Sequence, residues 1–158
     1  MADINTRPLN GLLRLRKEAD YEFLTSSLVV VTCEAGETLY HPGDSVDIVY
    51  FPCGPTLVAL AVAAEEDRDV DTGLVGSEGA VGGIISGGRL PAYSRIIARV
   101  GGQMARLPTR RFNEARIQSP ELRRLFERYS DFFVAQQSQT VACNAAHSSS
   151  ARRSGCRK

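Results

Sequence analysis

The middle of the chain, residues 28–107, alternates short apolar and β-branched segments with turn residues. The apolar segments span residues 28–33, 37–40, 47–51, 57–62, 70–75, 94–100 and 103–107. Glycine, proline and aspartate separate them, for example in the sequence Pro-Gly-Asp at residues 42–44 and in Gly-Gly at residues 101–102, and these residue types favour turns. Seven short strands with frequent turns are typical of β-barrels and sandwiches. The pattern therefore predicts a mainly β domain, a β-roll of the double-stranded jelly-roll type.

Helical periodicity flanks the β segments on both sides. Before residue 27, leucines recur among charged residues, which predicts one or two short amphipathic helices with a break near Ala19. After the last strand, Thr109 is the expected N-cap of a short helix that ends near residue 118. The sequence Ser-Pro-Glu at residues 119–121 supplies a cap, a first-turn proline and an early acid, so it predicts the start of a second helix.

In this second helix, apolar and partly polar positions recur at steps of three and four, as expected of a helix with one buried stripe. The stripe consists of Leu122, Leu125, Phe126, Tyr129, Phe132, Phe133, Gln136, Thr140 and Val141. We therefore predict a long helix over residues 119–147 that packs on a large partner. The last residues, SSSARRSGCRK at 148–158, are small, polar and basic without an apolar period, and we expect them to form a disordered tail.

Composition and charge exclude several classes of protein. The chain has 158 residues, of which 43% are hydrophobic and 23% charged, and this is in the range of one globular domain. Its formal net charge of +1 creates no overall attraction to nucleic acid or to an anionic membrane. No apolar segment approaches the roughly 18 to 20 residues that span a bilayer, and the N-terminus lacks the apolar core of a signal peptide. We therefore expect a cytoplasmic protein without membrane contact.

Catalytic and metal-binding motifs are missing from the sequence. The four cysteines, at positions 33, 53, 143 and 156, stand far apart without a CxxC pair, which indicates reduced thiols rather than a zinc or iron–sulfur site. The sequence contains no GxSxG, GK[ST] or HExxH motif and only two histidines. An enzyme and a metalloprotein are therefore both unexpected.

The segment GETLYHPGDSVDIVYFPCGPTLVALAV (residues 36–62) contains a G-x-x-L/I-x-x-x-G-D motif before a strand with an aromatic end. This segment resembles the sensory domain of Crp/Fnr-type bacterial transcription regulators, and two further segments share the resemblance. VDTGLVGSEGAVGG (70–83) is similar to the segment where the family has a short helix over the ligand phosphate. LPTRRFNEARIQSPELRRLF (107–126) resembles the turn, short helix and start of the dimerisation helix. The resemblance covers residues 9–147.

The resemblance implies a cyclic-nucleotide-binding-type β-roll in a homodimer that pairs through the long helix. The domain organisation becomes a helical lead-in at 1–26, a β-roll with a short helix at 27–118, a dimerisation helix at 119–147 and a tail at 148–158. The expected dimer seam consists of Leu125, Phe126, Tyr129, Phe132 and Phe133.

The end of the long helix is where a branch of the family continues into its DNA-binding module. The sequence VACNAAHS (141–148) is similar to that junction, but only ten residues follow it, far fewer than the ~60 of a winged helix-turn-helix. The chain is therefore expected to be a stand-alone sensor, or a truncated or frameshifted regulator. Sequence-specific DNA binding is not expected, although arginines gather around the two C-terminal helices, where they form either a weak, salt-sensitive DNA contact or a solvated face.

The family's phosphate-binding residues are only partly present. Where the family has Gly-Glu-Leu, this sequence has Gly79-Ala80-Val81, and because Ala80 cannot accept from a ribose hydroxyl, a buried hydroxyl would lose roughly 1–3 kcal/mol. Where the family has Arg-Ser-Ala, Ser94 survives but Arg95 lies on the other side of it, so Arg95 could serve only if the strand register slips.

Other candidate ligand contacts follow from the same resemblance. Arg89 is the nearest substitute cation, and Gly82 in the glycine-rich turn would let the backbone approach a ligand, unless that turn is simply a mobile loop. Gln137 and Ser138 fall near the family's adenine-contacting positions, or are ordinary polar positions on the helix. The predicted ligand-binding residues are Gly79, Ala80, Val81, Gly82, Arg89, Ser94, Arg95, Gln137 and Ser138.

Two hypotheses follow from the sequence. In the first, the chain is the effector-binding domain of a Crp/Fnr-type regulator whose ligand is a cyclic nucleotide or, given the missing charge partners, another small anionic effector. In the second, it is a ligand-free dimerisation module that pairs with itself or with full-length relatives through the long helix. Ligand-dependent stabilisation would distinguish the first hypothesis from the second.

Overall fold

The computed structural model describes residues 8–14, 17–65 and 68–154. Two short helices, seven strands and two further helices follow one another along the chain. They are α1 Gly11–Arg14, α2 Glu18–Thr25, β1 Val29–Cys33, β2 Thr38–Tyr40, β3 Ile48–Pro52, β4 Leu57–Ala63, β5 Asp69–Val75, β6 Arg95–Val100, β7 Gly102–Pro108, α3 Thr109–Gln118 and α4 Pro120–Ser154. Each predicted apolar segment is a strand whose ends lie within one residue of the prediction.

The strands form two antiparallel sheets. β1, β7 and β3 form a three-stranded sheet in that order, and β2, β6, β4 and β5 form a four-stranded one. Phe51 stands opposite Ala105 in the first sheet, and Leu60 stands opposite Ile96 in the second. Because side chains alternate between the two faces of a strand, each sheet turns one apolar face inward.

The core joins the sheets to the C-terminal helices through aromatic packing. Phe126 of α4 meets Phe112 of α3 edge-on, with ring centroids 4.6 Å apart, and meets Phe51 of β3 at 6.3 Å. All three rings are almost completely buried. Edge-to-face pairs of buried rings stabilise a fold beyond the burial of their area, so the first part of α4 is an integral part of the β-roll.

The lead-in helices are fixed by Asn10. Its side-chain amide donates to the carbonyls of Pro52 and Gly79 at 2.7 and 2.8 Å, and its Oδ1 accepts from the N–H groups of Leu12 and Leu13 in α1. The predicted break near Ala19 is wrong, because Ala19 lies in the first turn of α2, which begins after Lys17. α1 ends at Arg14, so the break comes earlier in the sequence.

The caps of the two C-terminal helices differ from each other. Ser119 caps α4 as predicted, since its hydroxyl accepts from the N–H of Leu122 at 3.2 Å. Thr109 does not cap α3, where the N-cap position belongs to Pro108. The Thr109 hydroxyl instead donates to the carbonyl of Val46 at 3.0 Å, which turns it toward the β-roll.

Helix α4 is longer than predicted. It continues to Ser154, so residues 148–154 are helical and the expected disordered tail is wrong for that part. The reason is local: no glycine or proline occurs between Pro120 and Gly155, and the alanine and arginines at 151–153 favour helix. Residues 155–158 lie outside the described part of the chain.

Candidate functional site

A cavity of about 150 Å³ lies inside the β-roll and is closed by α4. The strands contribute Tyr40, Leu60 and Ile96 to its wall, and α4 contributes Tyr129 and Phe133. Much of the remaining wall is the segment between β5 and β6, represented by residues 80–86 and 90–94. The lining residues are aliphatic, aromatic or small and polar, and none of those described carries a charge. A pocket of this chemistry suits a neutral, largely apolar molecule.

Tyr129 of α4 holds the backbone of Ala80 in the cavity wall. The Tyr129 hydroxyl accepts a hydrogen bond from the Ala80 N–H and donates one to the Ala80 carbonyl, both at 3.0 Å. Burial raises the pKa of Tyr129 to about 12, because desolvation disfavours the phenolate. Gly79 makes this contact possible, since a Cβ at that position would lie 2.3 Å from the Tyr129 hydroxyl. The long helix is thus tied directly to the cavity wall.

Tyr40 makes a contact of the same kind on another wall. Its hydroxyl donates to the Ile48 carbonyl at 2.6 Å and accepts from the Ile48 N–H at 2.9 Å. Burial again raises the pKa of the tyrosine to about 12. Its ring meets Tyr50 edge-on at 5.6 Å. The hydroxyls of Tyr40 and Tyr129 are therefore both engaged with the backbone.

The glycine-rich segment at residues 76–90 is a series of turns, so the short phosphate helix implied by the resemblance is wrong for this chain. Val81 pairs with Tyr50 through two backbone hydrogen bonds of 2.9 Å. Gly82 and Gly83 follow with φ angles of 84° and 52°, in the left-handed region that other residues rarely adopt. Strand-like pairing followed by left-handed glycines is incompatible with a right-handed helix.

Helix α3 fixes this segment from the outer side. Asn113 donates from Nδ2 to the Gly87 carbonyl at 2.9 Å, and Arg116 donates from Nη1 to the Ile84 carbonyl at 3.5 Å. Thr109, Asn113 and Arg116 are spaced at four and three residues and therefore share one face of the helix. The segment consequently lies between the cavity and α3.

The predicted ligand-binding residues fall into two groups. Four of the nine line the cavity, namely Ala80, Val81, Gly82 and Ser94. The other five, Gly79, Arg89, Arg95, Gln137 and Ser138, do not line it. Gly79 lies directly behind the wall, where its carbonyl accepts from Asn10. The structure thus brings together the small and apolar members of the predicted set and leaves the charged ones outside.

Both arginines predicted as phosphate partners point away from the cavity. Ser94 and Ile96 line it, so Arg95 between them faces the outer side of the sheet, where it forms an ion pair with Asp69 at 2.7 Å. Arg89 is exposed, and its Nε donates to the carbonyl of Ser86 at 3.1 Å. Neither guanidinium could neutralise a phosphate in the cavity in this arrangement.

The two predicted adenine-contacting residues also lie elsewhere. Gln137 packs on β5, where a Cβ at Gly73 would lie 2.0 Å from its Nε2, so the bare backbone of that glycine makes room for the Gln137 amide. Ser138 is exposed, and its hydroxyl donates to the Val134 carbonyl one turn earlier in α4.

The residues predicted as a dimer seam divide between two faces of α4. Phe126, Tyr129 and Phe133 are buried against the chain's own β-roll, so their assignment to a seam is wrong. Leu125 is half-buried, and Phe132 is 58% exposed. A spacing of three and four residues identifies the apolar face of a helix but not the surface on which that face packs. Here that surface is the chain's own β-roll. For Leu125 and Phe132 the dimer seam stays a prediction.

Sequence reasoning missed most of the residues that build the site. Asn10 could have been found as an N-cap before Gly-Leu-Leu, but its bonds to Pro52 and Gly79, 42 and 69 residues away, leave no local signal. Tyr40 and Tyr129 were expected only as a strand residue and a seam residue. The Tyr129 contact joins residues 49 positions apart, and the Tyr40 contact joins two consecutive strands, β2 and β3.

Metal and membrane features are not found in the described residues. Among these residues, no group of three or more histidine, cysteine, aspartate or glutamate side chains could hold a metal ion. Cys33 and Cys53 are buried free thiols, and Cys143 is an exposed one. In the same part of the chain, no helix combines the length and apolar character needed to cross a bilayer.

Comparison with known proteins establishes the fold. No protein-family model and no curated protein matches the chain. Among solved structures, it is similar to the N-terminal domain of a transcriptional regulator from Streptomyces coelicolor A3(2), with 20% identity over 84% of this chain and 92% of that one and a TM-score of 0.59. It is also similar to the sensor domain of the transcriptional regulator DNR from Pseudomonas aeruginosa, with 12% identity over 82% and 87% of the two chains and a TM-score of 0.63.

A third similar structure is a kinase regulatory domain. The co-crystal structure of the regulatory domain of Toxoplasma gondii PKA with cAMP has 18% identity and a TM-score of 0.55. The match covers 67% of this chain and only 40% of that one. The fold is therefore that of cyclic-nucleotide-binding-type β-rolls followed by a long helix, and the predicted fold is confirmed.

Proposed function

We propose that this chain is the effector-sensing domain of a Crp/Fnr-type transcription regulator, and that its effector is a small, uncharged, largely apolar molecule rather than a cyclic nucleotide. One observation carries the proposal: an uncharged cavity inside a sensory-type β-roll is closed by two residues of the long helix, Tyr129 and Phe133. A molecule that enters this cavity contacts the element that links sensory domains of this type to the rest of a regulator.

The chemistry of the cavity argues against a cyclic nucleotide. A phosphate monoanion buried without a cation is strongly disfavoured, because its hydration is lost without replacement. Arg95 is engaged with Asp69 on the outer face of the sheet, and Arg89 is not part of the lining. Ala80 occupies the position of the family's ribose-binding glutamate. The same reasoning disfavours any anionic effector in this cavity.

The size of the cavity narrows the class of effector further. Its volume is about 150 Å³, comparable to engineered apolar cavities that take up benzene. Ser94 adds a buried hydroxyl to a wall that is otherwise mostly aliphatic and aromatic. A small ring compound with one polar group fits these features.

The contact between Tyr129 and Ala80 supplies a route for the signal. A ligand that displaces Ala80 must either carry α4 with it or break two hydrogen bonds, so occupied and empty cavities favour different positions of the helix. In a homodimer joined near Leu125 and Phe132, a shift of α4 changes the packing of the two helices. We propose that the protein acts in this way as a cytoplasmic bacterial homodimer.

The proposal is tested by a thermal-shift screen with benzene, phenol, indole, cyclic AMP and cyclic GMP. A ligand at 100 times its Kd stabilises the folded state by about 2.7 kcal/mol. Ala92 lines the cavity, so Ala92→Leu fills it, whereas Ala63→Leu makes the same change at an exposed strand end. We expect a neutral ring compound to raise the Tm of the wild type and of Ala63→Leu but not of Ala92→Leu.

Two results would contradict the proposal. A saturable shift with cyclic AMP that Ala92→Leu abolishes would mean that the cavity accepts an anion. No shift with any ring compound in the wild type would favour the alternative, a ligand-free dimerisation module.

A further inference from the structure

A second pocket lies on the outer side of the glycine-rich segment, and its lining is charged, unlike that of the cavity. It has a volume of about 350 Å³ and is lined by Ile85, Gly87, Arg89, Asn113, Arg116, Ile117 and Arg123. Three of these residues are arginines, and none of the described lining residues is acidic. We propose that this pocket, named here the arginine pocket, binds a phosphate-bearing small molecule.

The geometry of arginine supports this class of ligand. A guanidinium presents a planar fork of donors that matches the oxygens of a phosphate, and several such forks around one pocket favour a multiply charged oxyanion. Arg89 reaches the pocket from the turn, Arg116 from α3 and Arg123 from α4, so three separate elements converge there. A solvated face formed by one helix would not have this arrangement.

Arg116 provides an independent observation. Its Nε is buried and has no hydrogen-bond partner, while its Nη1 reaches the Ile84 carbonyl only at 3.5 Å. Buried donors are almost always paired in folded proteins, and a missing water or ion is one explanation for an unpaired one. An oxyanion held by Arg89 and Arg123 in the arginine pocket would give the Arg116 guanidinium an acceptor that the described residues do not supply.

The charges around the pocket leave Arg89 and Arg123 available, while the Arg116 guanidinium stacks over the Phe112 ring with its Cζ 5.3 Å from the ring centroid. The Nε of Arg123 lies 4.0 Å from Glu127, the outer limit of an ion pair, and both side chains are more than half exposed. The Nε of Arg89 donates to a neutral backbone carbonyl. By contrast, Arg110 and Arg111 on the same helix as Arg116 both pair with Glu114 outside the pocket.

The ligand should also have an apolar part. Ile117 is 79% exposed and Ile85 is 52% exposed, and both lie on the rim among the arginines. Exposed aliphatic side chains beside guanidinium groups give a bound ligand an apolar surface to cover. A phosphorylated metabolite with an aliphatic or ring portion would cover both isoleucines and place its phosphate on the guanidinium groups.

The test uses isothermal titration of the full chain with pyrophosphate as the probe. Arg89→Gln and Arg123→Gln each remove one pocket cation from an exposed position, and Arg110→Gln removes an equal charge outside the pocket. We expect saturable binding to the wild type, a loss of about tenfold or more in each pocket variant, and less than a twofold change in Arg110→Gln.

Three results would overturn the proposal: no saturable binding to the wild type, equal weakening in Arg110→Gln, or unchanged affinity in both pocket variants. Titration with a short DNA duplex tests whether the arginines form a general basic surface. Duplex binding that is tighter than pyrophosphate binding and equally sensitive to all three substitutions would indicate a general basic surface instead.

Because Ala92→Leu fills the apolar cavity and leaves the arginine pocket intact, pyrophosphate binding should persist in that variant. The proposed cavity effector and the proposed phosphate ligand can therefore fail independently.

Discussion

The hydroxyl of Tyr129 and the backbone of Ala80 form a closed pair of hydrogen bonds, one accepted and one donated, each 3.0 Å long. Tyr40 and Ile48 repeat the arrangement across the cavity. A tyrosine that satisfies both polar groups of one residue fixes the backbone at that residue. The cavity wall is therefore held by side chains from α4 and β2.

Replacement of Tyr129 by phenylalanine should destabilise the domain. The ring is kept, but the N–H and carbonyl of Ala80 lose their partner in a buried place, which should cost roughly 1–3 kcal/mol. Urea unfolding followed by circular dichroism measures the change. Tyr93→Phe is the matched control, because Tyr93 is 76% exposed and should tolerate the change within about 0.5 kcal/mol. Equal stability of the Tyr129 variant and the wild type would show that the pair contributes little.

Alkaline pH should weaken the fold through the same tyrosines. In the unfolded chain each tyrosine ionises near pH 10, whereas in the folded domain the pKa values of Tyr40 and Tyr129 are about 12. Below about pH 10 both states keep the proton, so the stability is fully present there. Between about pH 10 and pH 12 the folded state binds more protons than the unfolded state, and the free energy of unfolding therefore falls as pH rises.

Urea unfolding at pH values from 8 to about 11.5 measures this slope. Tyr129→Phe should reduce it. Cys33 also makes the free energy of unfolding fall as pH rises, and its effect begins at a lower pH than that of the tyrosines. The reason is that burial raises the pKa of its thiol from 9.0 to about 11. A slope of the same size in wild type and Tyr129→Phe would contradict the assignment to Tyr129.

The sequence predicted the strands well and the site poorly, for a physical reason. Strand boundaries depend on local features of the sequence, namely the short apolar segments and the turn residues between them. The strands of the β-roll follow these features closely. The cavity depends on contacts between distant residues, such as Asn10 with Gly79 and Tyr129 with Ala80. Resemblance to a family correctly indicated the segment around Ala80 as part of the site. It could not show that Val81 pairs with Tyr50 and prevents the expected helix.

Loss of the Asn10 side chain should destabilise the domain more than loss of the Tyr129 hydroxyl. Asn10 is fully buried and makes four hydrogen bonds, two donated to the carbonyls of Pro52 and Gly79 and two accepted from α1. Asn10→Ala leaves these groups unpaired and should cost about 2–4 kcal/mol, measured by urea unfolding. Gln118→Ala at the exposed end of α3 is the control and should cost far less. A loss below about 1 kcal/mol would mean that water replaces the amide.

Removal of Arg95 should have a small effect on stability and none on ligand binding. Its ion pair with Asp69 is partly exposed, and such pairs contribute less than about 1 kcal/mol. Arg95→Ala should therefore keep the thermal response to any neutral ring compound that binds the wild type. If the variant instead lost that response, the side chain would have to reach the cavity in a strand register other than the one described here.

Dimer formation should depend on Phe132 and not on its exposed neighbour Val134. Phe132 is 58% exposed and Val134 is 52% exposed, but the two point to different sides of α4, because two residues turn a helix by about 200°. Phe132 is seven residues after Leu125, so these two side chains share one stripe beside the face that covers the β-roll. We expect light scattering to give the mass of a dimer for the wild type and for Val134→Asp, and that of a monomer for Phe132→Asp. Each variant introduces the same charge at a similar exposure, so a general loss of stability would affect both. A dimer that survives in Phe132→Asp would move the interface away from this stripe, and with it the proposed route from the cavity through α4 to the second subunit.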